Sequence, residues 1–245
     1  MNNKIVIENL KNNLIKILFF LFFFKINPCI AKETLTLDYN NIKVFLEGNF
    51  IQGGLVKGKI DSNISVRFKE RLLRKTSKGF FVIGFGRDHP KIANLSIKIN
   101  QNWISKTLNI KKMTFKDLED VYEIEKLSNP TPWSQTSFSD CLKGFYQNLI
   151  ITLDSETVAF CIMTINFTES HLLNISVHPN YRHKGIGEIL LKTSEKKSIN
   201  KGVSDIFLEV RESNKNAISF YKKNGYKYVG IRKNYYKNSS GREDG

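Results

Sequence analysis

Cysteine is scarce in this chain, and its scarcity removes two classes of protein. There are 3 among 245 residues: Cys29, Cys141 and Cys161, an odd set without CxxC spacing. Neither a disulfide framework nor a zinc site is built that way. Cys161 lies in the apolar run Val158 to Ile165 and reads as a core residue. Histidine is equally sparse, with 4 in all and neither HExxH nor HxH spacing, so no metal is expected. A long apolar run is missing near the N-terminus. Ile17 to Phe24, between Lys16 and Lys25, falls far short of the ~20 residues a membrane-crossing helix needs, and no stable membrane span is expected. Negative charge is in deficit, since 38 Lys and Arg stand against 23 Asp and Glu for a net charge of +15. Such a surplus invites a nucleic-acid reading. The lysines are scattered, however, and no aromatic-interleaved basic face stands out. The joint richness in Lys, Asn, Ile and Phe fits a codon-composition bias. No specific nucleic acid is expected, only mild attraction to acidic partners such as a ribosome surface.

What is present falls into three segments. In residues 1–31, Lys4, Lys11 and Lys16 precede the short apolar run, and Cys29-Ile30-Ala31 offers a small-residue cleavage site. That reads as a secretory signal peptide. Residues 32–106 alternate with period two, as in Ile42-Val44-Leu46 and Leu95-Ile97-Ile99, and glycines punctuate them. A small all-β accessory domain is expected there.

From residue 107 to 245 the pattern is α/β. Leu108 to Met113 reads as a strand. Thr114 can cap a helix from Phe115 to Leu127 with Val121, Ile124 and Leu127 on one face. Ser134 can cap a second helix, to about Lys143. A hairpin turns at Asp154-Ser155, and Leu172 to Val177 is the next strand. A helix from Ile186, the strand Asp205 to Val210, a helix Lys215 to Lys223 and a strand Tyr226 to Arg232 complete the order.

The segment Tyr181-Arg182-His183-Lys184-Gly185-Ile186-Gly187 sits between a strand and a helix. Strand, basic glycine turn, helix is how a chain builds an anion site. The first N–H groups of a helix are unpaired, and the helix dipole adds partial positive charge. Gly185 and Gly187 would let a phosphate approach the backbone, and Arg182, His183 and Lys184 add donors. A plain helix-start turn is the alternative.

The order Arg182-x-x-Gly185-x-Gly187 resembles the pyrophosphate-binding signature of the GNAT family of N-acetyltransferases. The run Leu208-Glu209-Val210-Arg211-x-Ser213-Asn214-x-x-Ala217-x-x-Phe220-Tyr221-x-x-x-Gly225-Tyr226 is more specific. With Pro132-Trp133-Ser134, Gly230-x-Arg232-x-x-Tyr235-Tyr236 and Gly241-Arg242-Glu243-Asp244 it is similar to the RimI-like branch, the ribosomal-protein-alanine N-acetyltransferases. The resemblance implies a mixed, curved sheet with helices on both faces. It implies acetyl-CoA as co-substrate and a protein N-terminus as acceptor, the alanine of ribosomal protein S18. It also implies contacts to acetyl-CoA from Ile175, Ser176 and Val177, from the turn Arg182, His183, Lys184, Gly185, Ile186, Gly187 and Glu188, and from Asn214. A second likeness joins Gly48 to Asp88 to the β-domain of secreted M23-type metallopeptidases, whose zinc ligands are absent.

Acyl transfer from a thioester to an amine needs a base for the ammonium and an acid for the leaving thiolate. Glu209, in the middle of an apolar strand pattern, is the candidate base. Its alternative is an edge glutamate or one paired with Arg211 or Arg182. Tyr221 is the candidate acid, protonated at neutral pH because its ordinary pKa is ~10. Its alternative is aromatic packing. Asn214 can equally be a helix N-cap.

Two departures stand out. RimI-like chains continue after Gly-Arg-Glu-Asp into a last apolar strand, which is lacking here and whose loss would leave an open sheet edge. A signal segment also conflicts with a cytoplasmic acetyl-CoA enzyme, so a chimeric gene is one reading. The rival functions are acetylation of a small amine, and an exported envelope binding protein with an inert acetyltransferase half.

Overall fold

The structure, a computed structural model, describes residues 7–9, 33–50, 54–85, 92–238 and 241–245. The expected cleavage site and the apolar run before it lie outside those residues, as do 51–53 and 86–88 of the metallopeptidase-like stretches.

The described residues of the N-terminal half form the strands β1 (Ile7–Asn9), β2 (Glu33–Tyr39), β3 (Ile42–Gly48), β4 (Leu55–Lys59), β5 (Val66–Phe68), β6 (Arg71–Leu72), β7 (Phe80–Gly84), β8 (Ile92–Ile99) and β9 (Asn102–Lys112). A 3-10 turn at Phe115–Asp117 leads to α1 (Leu118–Ser128) and α2 (Gln135–Lys143). Then come β10 (Tyr146–Leu153), β11 (Glu156–Asn166), β12 (Glu169–Val177), α3 (Ile186–Ile199), β13 (Asp205–Leu208), α4 (Lys215–Lys223), β14 (Tyr226–Tyr228), β15 (Tyr236–Asn238) and β16 (Gly241–Glu243).

Strands β2-β3-β4-β7 form a four-stranded antiparallel sheet. Its alternation is the one read from the sequence: Leu35, Leu37, Tyr39, Val44 and Leu46 are buried, and the residues between them, Thr36, Asp38 and Phe45, face outward. The second sheet has eight strands in the order β13-β12-β11-β10-β9-β8-β5-β6. Strand β9 runs through positions 106 and 107. Its first residues pair with β8, its last with β10, and Leu108 and Asn109 pair with both. The two halves therefore share a sheet, and they share a core. Leu37 and Val44 from the N-terminal strands and Ile189 and Leu190 from α3 belong to one buried cluster.

The central strands are apolar on both faces because helices cover both. Leu149, Ile151, Ala159, Cys161 and Met163 belong to the large cluster that includes α3 residues. Ile150, Phe160 and Ile162 alternate with them and meet Val121 and Ile124 of α1 and Phe138 of α2. The β10–β11 hairpin closes at Asp154 and Ser155, whose φ values of 52° and 74° place both residues in the left-handed region that such tight turns require.

Four expectations need correction. Strand β13 ends at Leu208 and β14 at Tyr228, so Glu209 follows a strand rather than sitting within it. Leu127 is 56% exposed; the buried face of α1 is completed instead by Glu125, at 0% exposure. The sheet edge expected to be open is paired: Ile7–Asn9 run antiparallel to β14, with Ile7 opposite Tyr228, and lie beside β13. That pairing involves residues from the segment read as a signal peptide.

Candidate functional site

Strand β12 is where the sheet parts. It pairs in parallel with β13 only from Glu169 to Leu172. A register shift opposite Ile162 and Met163 passes over Leu173, after which Ile175, Ser176 and Val177 continue to pair with β11 alone. On their other side the two parallel strands have diverged. On that side no described strand pairs with the stretch from Ile175 to Val177, and an extended chain could lie alongside it as an added strand would.

The basic glycine turn follows directly. His178 and the 3-10 turn Pro179–Tyr181 end the strand, and Gly185, at φ +85°, is the N-cap of α3. No side chain caps that helix start. His183 is also left-handed, at φ 58°. Arg182 is anchored: its Nε donates to the Val177 carbonyl at 3.1 Å and its Nη2 to Ser128 Oγ at 2.9 Å. Lys184 Nζ donates to the Asn180 carbonyl at 3.0 Å and lies over the Tyr181 ring. Tyr181 in turn donates to Glu156 at 2.6 Å, and that bond pushes its hydroxyl pKa up to about 12. The Ile186 side chain enters the core, and Glu188 pairs with Lys223 of α4 at 3.4 Å.

The two glycines differ. A Cβ on Gly187 would meet Val177 Cγ2 at 3.4 Å and Phe220 at 3.8 Å, within the packing of α3 against β12 and α4. A Cβ on Gly185 would meet the Thr34 carbonyl oxygen at 1.5 Å. The Thr34 carbonyl at the edge of strand β2 therefore lies where a Gly185 side chain would stand.

Glu209 stands just beyond β13. Its Oε1 accepts from Arg232 at 2.6 Å, a partner other than the Arg211 or Arg182 named as alternatives. Arg211 instead bonds Glu243 at 2.7 Å and reaches Thr131 Oγ1. Tyr235 and Tyr236 stack under Arg232 and Arg211 respectively. Burial raises the pKa of Tyr236, and the Glu209 charge adds to the rise. Tyr221 on α4 is 8% exposed, its ring against Phe220 and Tyr226. Burial pushes its hydroxyl well above the ordinary range, with Cys161 and Tyr236 adding to it. It stays a proton donor at any physiological pH. Asn214 is the N-cap of α4: its Oδ1 accepts from the Ala217 N–H at 3.1 Å.

Residue reading missed Glu125. One oxygen accepts from Asn129 Nδ2 at 3.0 Å and the Trp133 N–H at 3.1 Å; the other accepts from Asn174 Nδ2 at 3.2 Å. A fully buried carboxylate thus ties α1 to the Pro132-Trp133-Ser134 loop and to the strand carrying Ile175. The available signal was a glutamate one helical turn from Val121, on the face expected to be apolar. Arg232 and Tyr235 were visible only as motif letters. Among the described residues no cluster of His, Cys, Asp and Glu could hold a metal, and no helix is long and apolar enough to cross a membrane. Cys141 and Cys161 are free and buried.

Comparison with known proteins puts this arrangement in context. Residues 118–226 match the profile of the acetyltransferase (GNAT) family. The chain is 36% identical over 135 residues to the [ribosomal protein bS18]-alanine N-acetyltransferase of Escherichia coli strain K12, covering 55% of this chain and 91% of that one. It is 39% identical over 129 residues to the enzyme of the same name from Haemophilus influenzae, covering 52% and 88%. The crystal structure of the ribosomal-protein-S18-alanine N-acetyltransferase from Escherichia coli superposes with a TM-score of 0.53 at 35% identity, over 56% of this chain and 88% of that chain. These matches leave the metallopeptidase likeness of Gly48 to Asp88 without support.

Proposed function

The chain belongs to the GNAT family of acetyltransferases, and on that premise we propose that it transfers the acetyl group of acetyl-CoA to the N-terminal amine of a protein, the alanine of ribosomal protein S18. The observation that carries this reading is the divergence of β12 from β13 beside the glycine turn. It leaves a strand edge at Ile175, Ser176 and Val177 leading straight to an uncapped helix start at Gly185. An extended pantetheine arm ending in a pyrophosphate has that shape and that sequence of needs. Bound acetyl-CoA supplies the thioester.

The chain's own groups then have three tasks. The strand edge aligns the arm. Glu209, acting through a water, takes the proton that keeps the acceptor an ammonium. Tyr221 donates a proton to the thiolate that leaves; its hydroxyl keeps that proton at neutral pH, and burial makes it a weaker acid than a free tyrosine. Asn214 caps α4 and keeps its amide nitrogen for the co-substrate. The workplace of such an enzyme is the cytoplasm, where acetyl-CoA and ribosomal proteins occur together.

The test is mass spectrometry of a peptide carrying the alanine-starting N-terminus of S18, incubated with acetyl-CoA and the full chain. Acetyl gain on the terminal amine is expected. Gain on small amines but not on the peptide moves the acceptor to a small molecule. Absence of any acetyl-CoA binding leaves the acetyltransferase half inert.

A further inference from the structure

Strand β2 is the edge of the four-stranded sheet, paired with β3 on one side only. Unpaired strand edges recruit partners, and this one has a partner in its own chain. Thr36 donates its N–H to the Lys184 carbonyl at 3.0 Å. Two residues earlier, the Thr34 carbonyl oxygen lies against Gly185 so closely that a Cβ there would stand 1.5 Å from it, with Leu35 Cα at 3.2 Å. Leu35 and Ile186 belong to the same buried cluster, at 3% and 2% exposure. Hydrogen bond, van der Waals contact and apolar burial all fall on the turn that opens α3.

We infer that strand β2 is an autoinhibitory cover: it competes with the pyrophosphate of acetyl-CoA for the Lys184–Gly185 surface, so the two are bound alternately. This rests on the acetyl-CoA reading of that turn. A phosphate that uses the helix-start N–H groups must come within hydrogen-bonding distance of the Gly185 backbone, and that approach is taken by Thr34. The consequence is thermodynamic. When only the fraction of molecules with β2 lifted can bind, the apparent dissociation constant is the intrinsic one divided by that fraction. The Thr34 contact leaves no room for a side chain at Gly185, whose φ of +85° already disfavours one.

The geometry supplies its own probe. Thr36 sits opposite Phe45 in the β2–β3 ladder, and its N–H faces away from β3 toward Lys184. Proline is tolerated at an edge position whose N–H points outward, so Thr36→Pro should spare the sheet and remove the docking bond. Calorimetric titration of the full chain with acetyl-CoA should give at least tenfold tighter binding for Thr36→Pro than for the unmodified protein. An independent measurement needs no variant. In hydrogen exchange of the unmodified chain, saturating acetyl-CoA should protect amides 185–188 while speeding exchange across Thr34 to Tyr39. Equal affinity of the two proteins, or acetyl-CoA binding that leaves β2 exchange unchanged, overturns the cover and leaves the acetyltransferase reading standing. If neither protein binds acetyl-CoA while Thr36→Pro keeps the circular dichroism of the parent, the acetyl-CoA reading fails and the cover fails with it.

Discussion

Arg232 holds one oxygen of Glu209 at 2.6 Å in a partly open setting, with the two side chains 39% and 23% exposed. Tyr221 by contrast is buried among Phe220, Tyr226 and the core. These surroundings set distinct responses to substitution. Glu209→Gln keeps shape and removes the proton acceptor; Tyr221→Phe keeps the ring and removes the donor. Each should lower kcat by roughly 10²–10⁴, the worth of a positioned proton-transfer group, with acetyl-CoA affinity nearly intact. Their pH profiles should part. An α-amine titrates near ~8, so the Glu209→Gln deficit should shrink above that pH, where the acceptor is already neutral. The Tyr221→Phe deficit should persist, because the thiolate still lacks a donor. Full activity of Glu209→Gln at pH 7 would make Glu209 a structural partner of Arg232 and nothing more. The motif singles out both residues, and Asn214 caps α4 as one of its two readings had it. The partners were not legible: Arg232 lies 23 positions from Glu209, and no local period connects them.

At the scale of elements, the sequence was most readable where a single local force decides. Ser134 accepts from the Ser137 N–H at 3.1 Å and starts α2 as expected. The turn at Asp154 and Ser155 closes its hairpin, and α4 spans Lys215–Lys223 as read. Thr114 donates its N–H and hydroxyl to Asp117, which also takes Lys111. Burial pushes the Asp117 pKa up, but the bonds from Lys111 and Thr114 outweigh it and hold the group below the usual carboxylate range. Reading failed where tertiary contacts overrode the period. Glu125 occupies a helix position that packing alone would give to an aliphatic residue, because Asn129, Trp133 and Asn174 all donate to it. Glu125→Gln replaces one accepting oxygen with a donor and strands at least one of these groups. A stranded buried donor costs roughly 1–3 kcal/mol, and in a chain of this size each kcal/mol lowers Tm by about 2–4 °C. Thermal melting should register that loss. The KM for the peptide should also rise several-fold, since the Pro132-Trp133-Ser134 loop is released. A lowered Tm with an unchanged KM reduces Glu125 to a packing role.

The whole molecule was the least legible scale. Two pattern changes, near residues 32 and 107, suggested separate units. Strand β9 carries one sheet across the second of them, and the buried cluster follows it. Long-range strand order is not encoded in a local period, so neither that continuity nor the seat of β2 on the Gly185 turn could be read. The shared core has a measurable consequence. Tyr39 in the N-terminal strands and Tyr221, Tyr226 and Tyr236 in the C-terminal half all have hydroxyl pKa values raised chiefly by burial. An unfolded tyrosine ionises near ~10, whereas these keep their protons when folded. Above pH 10 the unfolded chain therefore binds fewer protons than the folded one, and stability falls as pH rises. Below that pH the four make no pH-dependent contribution. Together they should remove roughly 5 kcal/mol per pH unit at the steepest, at about 1.4 kcal/mol each, against a typical total of about 5–15 kcal/mol. Alkaline titration should accordingly show tyrosinate absorbance and loss of far-ultraviolet dichroism in one sharp step above pH 10. Tyr39→Phe should move that step to higher pH for both halves at once if the core is a single cooperative unit. Two separated steps, with only the first displaced by Tyr39→Phe, would mean that β9 joins the sheets without coupling their unfolding.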